Sequence, residues 1–157
     1  MAYAVDTKVP VERTRAEIEQ LVTKHRCSAY LAGTDTVARK AMVQFRAENR
    51  IVRFLLTLPD PNEPRFRRQG HRRAPIVFEQ AERSLWRALL LVIKAKLEAV
   101  ESKIATFEEE FLAHIVMPND RTVGQMVTPL VQHAYETGEM PMRLLPAGMG
   151  EVVESEP

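Results

Sequence analysis

The chain has 157 residues, 45% of them hydrophobic, and a formal net charge of +1. That apolar content supports a real core and excludes wholesale disorder, while the near-neutral charge excludes a globally basic nucleic-acid binder. The single cysteine, Cys27, excludes an internal disulfide and fits a reducing compartment. The longest apolar run, Ala88–Ile93, falls far short of the ~20 residues of a membrane span, and Met1–Arg15 carries no signal-peptide run. A cytoplasmic protein with no membrane contact is expected.

Residues 1–9 read as an extended arm. Pro10 suits the first turn of a helix, and Val11, Ile18, Leu21 and Val22 then share one face as far as about Lys24. Three strands follow. Ser28–Ala32 is short and ends at Gly33-Thr34-Asp35. Val37–Arg46 alternates, with Ala41, Val43 and Phe45 on one side and Lys40, Met42, Gln44 and Arg46 on the other. Arg50–Leu58 alternates likewise. With Glu48-Asn49 as a two-residue turn, Phe45 faces Val52, Val43 faces Phe54, Gln44 faces Arg53 and Arg46 faces Ile51. A one-residue slip would mix the two faces, so this register is favoured.

Pro59, Pro61 and Pro64 end the sheet. Residues 60–77 read as a basic loop around Arg65-Phe66-Arg67-Arg68-Gln69-Gly70-His71-Arg72-Arg73. Beyond it, Trp86, Leu90, Ile93, Leu97, Val100, Ile104, Phe107 and Phe111 keep the 4-3-4-3 spacing of a heptad seam. This predicts one long helix over about 84–115. Its first half is basic (Arg83, Arg87, Lys94, Lys96) and its second acidic (Glu98, Glu101, Glu108, Glu109, Glu110). Antiparallel pairing with a second copy would match these charges, through an oligomer interface of Val100, Ile104, Phe107 and Phe111. The alternative is that the seam packs within its own chain.

Thr122 reads as the N-cap of a last helix, Pro129 as a kink or restart with Thr128 as a second cap, and Gly138 as its end. Met140–Leu145 is expected to pack back on the domain. The fold class is α+β in the order α-β-β-β-α-α, a three-stranded antiparallel sheet with one face covered by helices. Residues 1–146 form a single domain and 147–157 an acidic flexible tail.

The clustered arginines with one aromatic suit phosphate binding and base stacking. The candidate nucleic-acid site is Arg65, Phe66, Arg67, Arg68, Arg72 and Arg73, extended by Arg46 and Arg53 on the sheet. An acidic protein surface and a merely solvated loop are the competing readings. Glu110 and His114 are spaced i, i+4 but lack a wider ligand pattern, and Cys27 beside His25 and Arg26 reads as a core residue. No catalytic residue, metal or cofactor is expected.

Three stretches carry a resemblance: Val9–Glu19, then Ala88–Ser102 with Phe107–Ile115, and Thr122–Met126 with Tyr135–Pro141. Together they resemble an uncharacterised family of small bacteriophage and prophage proteins. The resemblance implies a product acting in a host cell's cytoplasm on nucleic acid or on a host protein. The element order is also similar to phage single-strand annealing proteins, at the level of fold only. The expected function is a non-enzymatic, oligomeric, nucleic-acid-binding accessory to phage DNA metabolism in replication or recombination. The alternative is a protein-binding module that modulates a host protein, for example in anti-defence.

Overall fold

The computed structural model describes residues 7–67 and 70–141, and for residues 67 and 70–76 the backbone alone. The tail at 147–157, the packing expected of 142–145 and most of the N-terminal arm lie outside the described residues.

Helix α1 (Val11–Lys24) follows Pro10 and buries Thr14, Ile18 and Val22, spaced by one turn. It ends without glycine. Arg26 takes a left-handed φ of 63°, and the amides of Arg26 and Cys27 bond back to Thr23 and Val22, each at 3.0 Å. This closes the helix in a Schellman turn.

The sheet is antiparallel in the order β1-β2-β3, with β1 over Ala29–Asp35, β2 over Lys40–Ala47 and β3 over Arg50–Thr57. The expected β2–β3 register is the observed one, including Phe45 opposite Val52 and Gln44 opposite Arg53. Glu48 and Asn49 both have positive φ, 48° and 60°, as a type I′ turn requires. Strand β2 starts later than the alternation predicts. The Asp35 carboxylate accepts from the amides of Val37 (2.9 Å) and Ala38 (2.8 Å), so residues 36–39 form a turn. Arg39 then fixes this turn. Its Nε and Nη2 donate to the Pro59 carbonyl at 3.0 and 2.9 Å, and its guanidinium lies over Phe78.

The helices between the sheet and Thr122 differ from the sequence expectation in three respects. Part of the expected loop 60–77 is helical, with α2 over Pro64–Arg67 and the long helix α3 over Gly70–Glu101. The long helix does not continue to 115. It stops at Lys103 (φ 58°), where the amides of Lys103 and Ile104 bond to Val100 and Ala99 at 3.1 and 2.9 Å. Phe107 and Phe111 keep their heptad spacing by returning on a separate helix, α4 (Phe107–Phe111), started by a capping box between Thr106 and Glu109. A 3₁₀ turn, Leu112–His114, follows.

The core lies between α1, α3, α4 and one sheet face. Trp86, Phe45, Phe111, Ile18, Ile93, Val22, Val43 and Val52 are its largest fully buried apolar residues. Phe111 meets Phe45 and Phe54 edge-on, with ring centroids 5.9 and 6.5 Å apart. Such geometry adds about 0.5–1.5 kcal/mol per pair beyond burial.

Helix α5 (Val123–Thr137) has Thr122 as N-cap in a capping box with Gln125, and Gly138 in the left-handed conformation at its end. Pro129 neither breaks nor restarts it. Proline removes the amide that the Gln125 carbonyl would use, and Arg121 Nη2 donates to that carbonyl instead, at 2.8 Å. No helix among the described residues is long and apolar enough to cross a membrane.

Candidate docking surface

The strands present two faces. Residues of one parity (Ala41, Val43, Phe45, Ala47, Val52, Phe54) are buried. The other parity forms an open face. In register across it run Gly33–Met42–Leu55, then Leu31–Gln44–Arg53, then Ala29–Arg46–Ile51, with Asp35–Lys40–Thr57 at the far end. Leu31 and Leu55 are 54% and 55% exposed. A Cβ added to Gly33 would meet nothing within 4 Å, so the space above the strands is free there. The face thus carries an aliphatic stripe of Leu31, Met42, Leu55 and Ile51 among Lys40, Arg46 and Arg53.

Arg53 is held in place. Its Nε donates to Gln44 Oε1 at 2.9 Å, its Nη1 to the Asp120 carbonyl at 3.0 Å, and its Nη2 to Asp120 Oδ1 at 2.6 Å. This clamp fastens the 117–122 turn to the sheet, together with the Val116 amide bonded to the Ile51 carbonyl at 2.8 Å. Lys40 and Arg46 are exposed, and neither is held in an ion pair among the described residues. Asp35 and Asp120, the acids bordering this face, are engaged with backbone amides and with Arg53 respectively.

Of the other expected site residues, Arg65 and Phe66 do not join this surface. Phe66 is 3% exposed, with its ring 5.7 Å from Phe78 in an edge-on contact. The expectation that it stacks on a base is therefore corrected: α2 turns the ring inward against Phe78 of α3. Arg65 lies over Phe66 and pairs with Glu63 at 2.6 Å, beside a groove of about 780 Å³ between α2 and α3. The side chains of Arg67, Arg72 and Arg73, and all of Arg68, lie outside the described residues. Lys40 and Arg46 stand six residues apart on β2, or roughly 20 Å. Lys40 marks the sheet end nearest Pro59, and Arg46 the hairpin end.

The expected oligomer interface is corrected as well. Phe107 and Phe111 are buried in the chain's own core, Val100 packs against that core, and Ile104 alone of the four is well exposed, at 78%. The charge asymmetry is largely met inside one chain. Arg87 bonds Glu17 of α1, Lys96 donates to the Glu110 carbonyl at 2.6 Å, Arg50 pairs with Glu108 and His25 with Glu101.

The chemistry-bearing residues singled out in the sequence have structural surroundings. Burial pushes the Cys27 thiol up to about 11, which keeps it protonated and poorly nucleophilic at neutral pH. His114 stacks on Phe54 at 4.0 Å while Glu110 turns to Lys96, so the two do not share a ligand. Burial lowers the His114 pKa, Lys96 lowers it further, and a backbone hydrogen bond at Arg53 opposes both. Among the described residues no group of three His, Cys, Asp or Glu is placed to hold a metal ion.

No protein-family model, curated protein or solved structure matches this chain.

Proposed function

We propose that this chain is a binding module that docks an acidic, partly apolar protein surface on its open sheet face. The observation that carries this reading is the composition of the face. It sets exposed Leu31 and Leu55 and half-buried Met42 beside Lys40 and Arg46 on paired strands, with no aromatic side chain among them. Aliphatic residues rimmed by cations suit a protein interface, where Met and Arg are enriched. Single-stranded nucleic acid calls for stacking aromatics beside the cations, and Phe66, the ring expected to supply one, is buried. The resemblance to phage proteins supports a host protein as the partner.

The test is selection from a random peptide library displayed on phage, with the Leu55→Glu variant as counter-target. The expected result is a family of acidic peptides with apolar anchors that bind the native chain and lose at least tenfold with Leu55→Glu or Arg46→Glu. Sequence-independent retention of a fluorescent oligonucleotide, lost with Arg46→Glu and falling steeply with salt, would instead favour the nucleic-acid reading.

A further inference from the structure

The two edges of the sheet differ. At the hairpin end of β3 the chain covers its own edge: Val116 donates to the Ile51 carbonyl at 2.8 Å, and Ile115 bridges to Val52. Strand β1 is the other edge, and its register fixes where its backbone groups point. The two-residue turn makes Ala47 and Arg50 a hydrogen-bonded pair, and bonded pairs alternate along an antiparallel ladder. Phe45 and Val43 therefore bond to β3, while Gln44 and Met42 bond to their β1 partners Leu31 and Gly33. Tyr30, Ala32 and Thr34 are left to turn their N–H and C=O groups outward. Arg15 agrees with this, since its Nη2 donates to the Ala32 carbonyl at 3.1 Å. Among the described residues no other hydrogen bond reaches these outward groups. Ala29–Asp35 also holds no lysine and no proline, two of the usual guards of a free edge.

A groove of about 300 Å³ follows this edge between α1 and β1, lined by Glu12, Arg15, Ala16, Glu19, Tyr30 and Ala32. Arg15 is committed there, to the Ala32 carbonyl and, 5.6 Å from its centroid, to the Trp86 ring. Glu12 and Glu19 are exposed, and neither is held in an ion pair among the described residues.

We propose that the outer edge of β1 takes an added strand, an extended segment of a partner protein with Lys or Arg on the side that faces α1. The edge calls for backbone, because an extended chain offers N–H and C=O groups at the matching spacing. The Ala32 carbonyl keeps a second lone pair for it beside Arg15. The groove sets the side chains. Alternate residues of the added strand enter it, where a base meets Glu12 and Glu19, and the others lie beside Leu31 and Gly33. The same two acids argue against a second copy. Pairing β1 with β1 of another chain sets both α1 helices on one side of a continuous sheet, with the Glu12 and Glu19 of each facing those of the other. This inference goes beyond the open-face reading and does not rest on it.

The test takes peptides selected from a displayed random library against the full native chain and follows amide hydrogen exchange. In the peptide-free chain the Tyr30, Ala32 and Thr34 amides are expected to exchange fast, and those of Leu31 and Gly33 slowly. Edge-binding peptides are expected to carry Lys or Arg at alternate positions and to slow all three outward amides. Their affinity is expected to fall at least tenfold in Glu12→Lys/Glu19→Lys. It is expected to fall as far in Ala32→Pro, which removes an outward N–H where an edge strand admits proline. N-methylation of the peptide's backbone amides, which leaves the protein untouched, is expected to abolish binding at one parity and spare it at the other. Leu55→Glu is expected to leave these peptides bound, so this inference and the open-face reading fail separately. Slow exchange of the three outward amides in the peptide-free chain would overturn the proposal, and if it grew with protein concentration it would assign the edge to a second copy. A selection whose peptides slow none of these amides, or whose binders ignore Glu12→Lys/Glu19→Lys, would overturn it too.

Discussion

Strands β2 and β3 send alternate residues to two faces that are spent differently. On one, Phe45 and Phe54 meet Phe111, and Val43 and Val52 are buried in the same core. On the other, Met42 and Leu55 stand beside Arg46, with no helix layer above them among the described residues. Neighbours in sequence thus differ in what a substitution reaches: the covered face sets stability, and the open face is free to set recognition. The open face also carries one stiff point. Arg53 ties Gln44 and Asp120 together, which holds the turn leading to α5 against the sheet.

The largest effect is expected on the covered face. Trp86→Ala or Phe111→Ala removes a fully buried ring and costs about 3–5 kcal/mol of stability, read by urea unfolding. If either substitution cost no more than one on the open face, the division between the faces would fail. Thr14 offers a smaller change of opposite sign. Its buried hydroxyl has no hydrogen-bond partner among the described residues, so Thr14→Val is expected to stabilise by roughly 1 kcal/mol, seen as a raised thermal midpoint. A drop in midpoint would show that the hydroxyl is satisfied.

His114 gives a pH signature on the covered side. Its folded pKa lies below the 6.5 of an unperturbed histidine, so in that window the unfolded chain binds the proton more readily than the folded one. The stability contributed by the neutral ring is fully present above 6.5 and is lost as pH falls below it. His114→Gln is expected to flatten stability against pH over this range, and an unchanged slope would contradict the assignment. The smallest stability effect is expected on the open face. Leu55→Ala should stay within about 0.5 kcal/mol of the native chain, while weakening a bound acidic peptide.

The hairpin was legible in the sequence because two signals agreed there. A period of two ran through Ala41–Phe45 and Val52–Leu56, and Glu48-Asn49 fixed one register. The long helix misled because the heptad spacing of Trp86–Phe111 passes through a chain reversal unbroken. Lys103 closes α3 in a left-handed conformation where glycine is the usual signal. The one clue was Thr106 with Glu109, a capping box placed inside an apparently continuous helix. Phe66 misled for a different reason: composition marks an arginine-rich segment but does not say which way α2 turns its ring. Pro129 was expected to kink or restart its helix, and nothing local announces that Arg121 replaces the missing bond. The open face was visible in part, since Lys40, Arg46 and Arg53 fell on the parity opposite Phe45. That this face stays uncovered depends on where the helices pack.

The most direct test of the open face is amide chemical-shift mapping, with a selected acidic peptide titrated into the labelled full chain. The account predicts shifts concentrated at Leu31, Gly33, Met42, Gln44, Arg46 and Leu55, and their loss in Leu55→Glu while the Phe45 and Phe111 signals stay in place. Shifts centred instead on the groove between α2 and α3, or shifts that persist in Leu55→Glu, would contradict it.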